Sequence, residues 1–165
     1  MTPLSLRPAA LFAFALMLAG CGFHLRGPQS LDFSSIHIGA SQYSTLGTAL
    51  RRQVELSGST IVEEEAARAE TRLQILANER TREILSITAI GKVREYELLQ
   101  RIRFRLVDRE GKELIPPANI TVRREYTFND EQVLGKEQEE ALLYRDMESD
   151  LVRQIMLRLA AWHRP

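Results

Sequence analysis

The chain has one cysteine, Cys21, so no internal disulfide can form. Stability must come from packing rather than from cross-links. Its three histidines, His24, His37 and His163, do not make metal-ligand spacing, and no second thiol is there to join them. With 22 basic and 22 acidic residues the formal charge is +0, so no global field draws the chain to nucleic acid. Past residue 20 there is no apolar run of the ~20 residues that a membrane-spanning helix needs. A glycine-rich phosphate loop and a Gly-Xaa-Ser-Xaa-Gly turn are both missing. Glu63-Glu64-Glu65 is a charge run of the kind that usually faces solvent. Nothing in these patterns argues for an enzyme, a cofactor or a metal.

The clearest positive feature is at the start. Arg7 is followed by an apolar run from Ala9 to Leu18, and then by Leu18-Ala19-Gly20-Cys21. A charged segment, an apolar run too short to span a bilayer and a pair of small residues form a secretory signal. The sequence around Cys21 resembles the lipobox of bacterial lipoproteins. Cleavage is expected before Cys21, with its thiol taking the lipid. Residues 1–20 are then the signal peptide, 21–31 a lipidated cysteine and tether containing Gly22, Gly27 and Pro28, and 32–165 one domain. Two or more acyl chains hold a protein firmly on a membrane. Gly22 in place of aspartate favours the outer membrane, by resemblance to lipoproteins of Gram-negative bacteria.

The rest alternates between two periodicities. Ser34 to Gly39 reads as a strand with Ile36 and Ile38 on one face. Ser44 to Ser57 reads as a helix, with Leu46, Leu50 and Val54 in one stripe and Gly58 as its stop. Thr60-Ile61-Val62 fits a short strand, and Glu63 to Glu70 a loop or helical turn. Thr71 to Ala77 alternates Leu73, Ile75 and Ala77 inward, and Glu83 to Ala89 continues with Leu85 and Ile87. Ile90-Gly91-Lys92 is a turn. Val93 to Asp108 is a long strand with Ile102, Phe104 and Leu106 on one face, and Arg101, Arg103 and Arg105 on the other. A hairpin turn follows at Gly111. Pro116-Pro117 is expected to break the chain before a last strand, Ala118 to Phe128. Glu137 to Trp162 is an amphipathic helix whose stripe is Leu143, Met147, Leu151, Ile155, Leu159 and Trp162. This order predicts an α+β two-layer sandwich: a largely antiparallel or mixed sheet of about four strands with two helices on one face.

Basic residues gather on the β region. Arg80, Arg82, Lys92, Arg94, Arg101, Arg103, Arg105, Arg123 and Arg124 lie in or beside it, diluted by Glu79, Glu83, Glu95 and Glu97. One reading is a solvated sheet face with cross-strand ion pairs of little energetic weight. The other is an anion-binding rim that grips phosphates.

Cys21-Gly22-Phe23-His24-Leu25-Arg26-Gly27 resembles the start of mature members of the LptE family of lipopolysaccharide-assembly lipoproteins. The similarity continues through Leu50-Arg51-Arg52-Gln53-Val54, Arg94-Glu95-Tyr96, Arg124-Glu125-Tyr126, Leu134-Gly135-Lys136, and Met147 with Gln154-Ile155. The resemblance implies an outer-membrane lipoprotein that partners and plugs the LptD β-barrel, supports its assembly, and helps deliver lipopolysaccharide. It implies lipopolysaccharide contact at basic positions near the turn before the long strand and just before the last helix. Lys136 matches the second. The first aligns with Ala89, with Lys92 and Arg94 nearby. An auxiliary lipoprotein subunit of another envelope lipid transporter is the alternative.

Overall fold

The computed structural model describes residues 30–163; the expected signal peptide, Cys21 and most of the tether lie outside them. Leu31, the last residue of the expected tether, is buried in the core. Strand β1 (Ser35–Gly39) buries Ile36 and Ile38. Helix α1 (Thr45–Ser57) starts where the Ser44 hydroxyl accepts from the Gly47 N–H at 3.0 Å. It ends where Gly58, at φ 69°, takes the left-handed conformation and donates its N–H to Glu55. Leu46, Leu50 and Val54 form its buried stripe.

Strand β2 (Ile61–Val62) runs parallel to β1. Strand β3 (Thr71–Ile87) pairs with β1 in parallel from Ile36↔Thr71 to Gly39↔Gln74. Strands β4 (Val93–Asp108) and β5 (Glu113–Thr127) follow antiparallel, giving the order β2-β1-β3-β4-β5. A short 3-10 turn, Asp130–Gln132, leads into α2 (Val133–Ala161). Both helices lie on one face. Leu73, Leu98, Ile102, Phe104, Leu106 and Ile120 meet Leu50, Met147, Leu151, Ile155 and Leu159 in a single core. Trp162 packs beside Phe33, with ring centroids 6.2 Å apart.

The two-layer α+β arrangement is the expected one, with five strands rather than four because β2 joins the sheet. Four local expectations differ. The two inferred segments at 71–77 and 83–89 are one strand. Its Leu85 and Ile87, expected inward, are 45% and 61% exposed. Register shifts at Ile75/Ala77 and Ile84/Ser86 break the alternation there. The prolines do not break the chain before the last strand: β5 begins at Glu113 and runs through them. It is an edge strand, where a missing outward N–H costs no ladder bond, and the ladder shifts between Phe104 and Leu106 opposite them. Finally, α2 starts at Val133 rather than Glu137, so Gly135 and Lys136 are helical. A glycine in a first turn costs at most about 1 kcal/mol of propensity.

Candidate functional site

Thirteen residues of β3 extend beyond its partner β1, so the β3–β4 hairpin projects past β1 with the first half of α2 alongside it. Its turn is tightly fixed. The Thr88 N–H donates to the Lys92 carbonyl at 2.7 Å, the Lys92 N–H donates to the Thr88 hydroxyl at 3.1 Å, and Gly91 sits at φ 78°. The end of β5 returns to the same place, where the Phe128 N–H donates to the Arg94 carbonyl at 2.8 Å. The chain then enters the 3-10 turn, capped by the Asn129 side chain. Lys92 Nζ reaches Asp130 across this junction at 2.9 Å.

The fold therefore gathers two distant segments at one end of the sheet. Lys92 and Arg94 come from the hairpin, and Lys136 from the first turn of α2. Each cation has a carboxylate beside it: Asp130 for Lys92, Glu95 for Arg94 at 3.4 Å, and Glu139 for Lys136 at 2.8 Å. Lys136 is the most enclosed, with 19% of its side chain exposed. The exposed pairs at Lys92 and Arg94 contribute about 0–1 kcal/mol each, so a polyanion can replace the internal partner there at small cost. The Ser86 hydroxyl also donates to Glu95. That bond outweighs the opposing desolvation and, with a lesser contribution from the Arg94 charge, holds the Glu95 carboxyl below its usual range.

Large apolar side chains stand open at the same end. Ile84 and Ile87 lie on the hairpin, and Ile90 in its turn is 80% exposed. Val133 and Leu134 open α2, with Leu134 77% exposed. A cation set beside uncovered apolar groups matches a ligand that is both anionic and lipidic.

Arg101, Arg103 and Arg105 are not part of this gathering. They lie on the sheet face away from the helices, where Arg101 is 3.9 Å from Glu79 and Arg105 donates to Gln74 and Glu113. Arg103 makes no ion pair among the described residues. This is a mixed-charge polar face.

One cluster near the tip was not read from the sequence. Tyr96 lies opposite Tyr126 with ring centroids 5.7 Å apart, and meets Phe128 edge-on at 5.3 Å. The Arg82 guanidinium lies 4.7 Å over the Tyr96 ring and donates to Glu140 at 2.9 Å. The Tyr126 hydroxyl donates to the same carboxylate at 2.6 Å. Burial, and then the hydrogen bond to Glu140, push the Tyr126 phenol well above its usual range. The repeated Arg-Glu-Tyr at 94–96 and 124–126 was the available signal. Only the strand register shows that its two tyrosines face each other.

A family model named LptE and described as lipopolysaccharide-assembly matches residues 33–159. The chain is 29% identical over 147 residues to the LPS-assembly lipoprotein LptE of Pectobacterium atrosepticum, covering 87% of this chain and 79% of that one. It is 26% identical over 151 residues to the protein of the same name from Photorhabdus laumondii, covering 90% and 81%. Among solved structures, lipoprotein B from Nitrosomonas europaea matches with a TM-score of 0.71 at 37% identity, over 85% of this chain and 91% of that one.

Proposed function

Because the chain belongs to the LptE family, the lipopolysaccharide-assembly lipoproteins of the Gram-negative envelope, we propose that it partners an LptD-like outer-membrane β-barrel and grips lipopolysaccharide with the far end of its sheet. The family is non-enzymatic, so the work is binding and positioning. Maturation before Cys21 leaves a lipidated cysteine, a tether over residues 22–31, and the domain over 32–165. The lipid holds the domain at the outer membrane.

The observation that carries this reading is the meeting of Lys92, Arg94 and Lys136 with Ile84, Ile90, Val133 and Leu134 at one end of the sheet. Lipopolysaccharide has phosphates for the cations and acyl chains for the apolar groups. Guanidinium and ammonium donors give charge-assisted bonds to phosphate oxygens. The described chain begins at Ser30 beside the opposite end of the sheet, where the Leu31 N–H donates to Ser59. A strand of 17 residues separates these ends by about 55 Å. A domain tethered at one end thus presents its cations at the other. The mixed-charge face with Arg101, Arg103 and Arg105 suits the polar interior of a barrel.

The test is Lys92→Glu together with Lys136→Glu in the full chain. Each reversal replaces a charge-assisted contact with repulsion, so lipopolysaccharide binding should fall by at least about tenfold, which is 1.4 kcal/mol. Unchanged binding would remove the tip as the lipopolysaccharide site. Recovery of the full chain from outer membranes as a stable monomer, with no barrel attached, would overturn the partnership.

A further inference from the structure

The outer edge of β3 is bare for most of its length. Strand β1 pairs with it only as far as Gln74, and among the described residues no strand continues that pairing. An antiparallel ladder turns the peptide groups of every second residue away from its partner. Along this stretch those groups face an empty slot, in line with β1 and beyond Gly39. One of them has a side-chain partner, since the Tyr144 hydroxyl donates to the Thr81 carbonyl at 3.3 Å.

Edges of this kind template another strand unless they are blocked. Here the register shifts sit at the ends, while between them the guards are side chains: the charges of Glu79, Arg80, Arg82 and Glu83, and the single Tyr144 hydroxyl that an added strand must displace from the Thr81 carbonyl. Register shifts at Ile75/Ala77 and Ile84/Ser86 frame a regular run from Ala77 to Ile84. We propose that this run accepts an extended segment of a partner polypeptide, with basic residues set opposite Glu79 and Glu83.

The charges specify the occupant. Cross-strand neighbours share a face, so Glu79, Thr81 and Glu83 lie on the open face with Arg101, Leu99 and Glu97. Glu83 is directly opposite Glu97, a destabilising pair of like charges. The nearest cation to Glu97 is Arg123 at 3.9 Å. On the helix face, Arg80 and Arg82 already pair with Glu148 and Glu140. On the open face Glu79 lies 3.9 Å from Arg101, an exposed pair of little energetic weight, and Glu83 makes no ion pair among the described residues, so the charge that β3 itself presents there between Ala77 and Ile84 is acidic. An added strand relieves it with two basic residues four positions apart, and its backbone fills the slot. A second copy of the chain fits poorly. Antiparallel self-pairing centred on Arg80, Thr81 or Arg82 sets an arginine against an arginine in each register.

The probe is a synthetic peptide of alternating valine and threonine with two lysines four positions apart, added to the full chain in detergent micelles. Amide hydrogen exchange is read along β3. The peptide should slow exchange of the outward amides between Ala77 and Ile84 at least tenfold. Glu79→Lys with Glu83→Lys should weaken peptide binding at least tenfold, and N-methylation of the peptide backbone should abolish it. The proposal is overturned if the peptide gives no protection, if a glutamate version binds equally, or if N-methylation makes no difference. It is also overturned if the chain alone is a dimer with the same amides already protected.

Discussion

The two ends of the sheet are built from the same strands and the same helix, yet they are held together differently. At the end near Ser30, Phe104, Leu106 and Leu73 meet Leu50, Leu151, Ile155 and Leu159, all fully buried. At the other end α2 reaches the sheet through polar side chains: Arg80 to Glu148, Arg82 and Tyr126 to Glu140, and Tyr144 to the Thr81 carbonyl. Dense apolar packing supplies most of a domain's stability, whereas exposed ion pairs supply little. One end thus secures the fold, and the other stays within reach of ligands with its apolar groups uncovered.

The largest effect should come from the packed end. Phe104→Ala should lower stability by about 3–5 kcal/mol in chemical denaturation, because a fully buried aromatic leaves a cavity. A loss well below that would mean the two ends differ less in packing than their burial indicates. Tyr126→Phe should cost about 1 kcal/mol, the net worth of one hydrogen bond. Its effect should be local, with faster amide exchange in the hairpin and unchanged exchange in α1. Equal acceleration in both regions would erase the distinction.

The same tyrosine predicts a pH effect of definite sign. Its folded pKa is raised above the ordinary value of 10.0. The unfolded chain therefore releases this proton first, and stability falls as pH rises above about 10. Tyr126→Phe should flatten that alkaline limb in denaturation curves measured across pH. The smallest effect concerns Glu95, whose folded pKa lies below its ordinary 4.5. Its contribution is present above that pH and is lost as acid takes the pH down through the folded value. Glu95→Gln should remove a small acid-range change in hairpin exchange and leave the packed end untouched.

Local chemistry was legible in the sequence. Gly58, Gly91 and Gly111 mark a helix stop and two turns, and each has positive φ. The bounds of β4, Val93 to Asp108, follow from simple alternation. Features set by distant neighbours were not legible. Whether Pro116 and Pro117 end a strand depends on their place at an edge. Whether Leu85 faces inward depends on a bulge and on how far α2 extends over the sheet. Lys92 and Lys136 both stand out in the sequence, but nothing in either segment shows that the Lys92–Asp130 contact closes their junction. Arg94-Glu95-Tyr96 and Arg124-Glu125-Tyr126 are separate fragments of the sequence, and only strand register makes their tyrosines one cluster.

The projecting β3–β4 hairpin also acts as a gauge. Strand rise is about 3.3 Å per residue, so strand length fixes how deep the Gly91 turn is carried from the packed base. Adding two residues to each strand would push the turn about 7 Å further and leave every side chain on its present face. Adding one would turn the whole tip over and send its cations to the opposite side. Length variation in this hairpin should therefore be tolerated in even steps and rejected in odd ones.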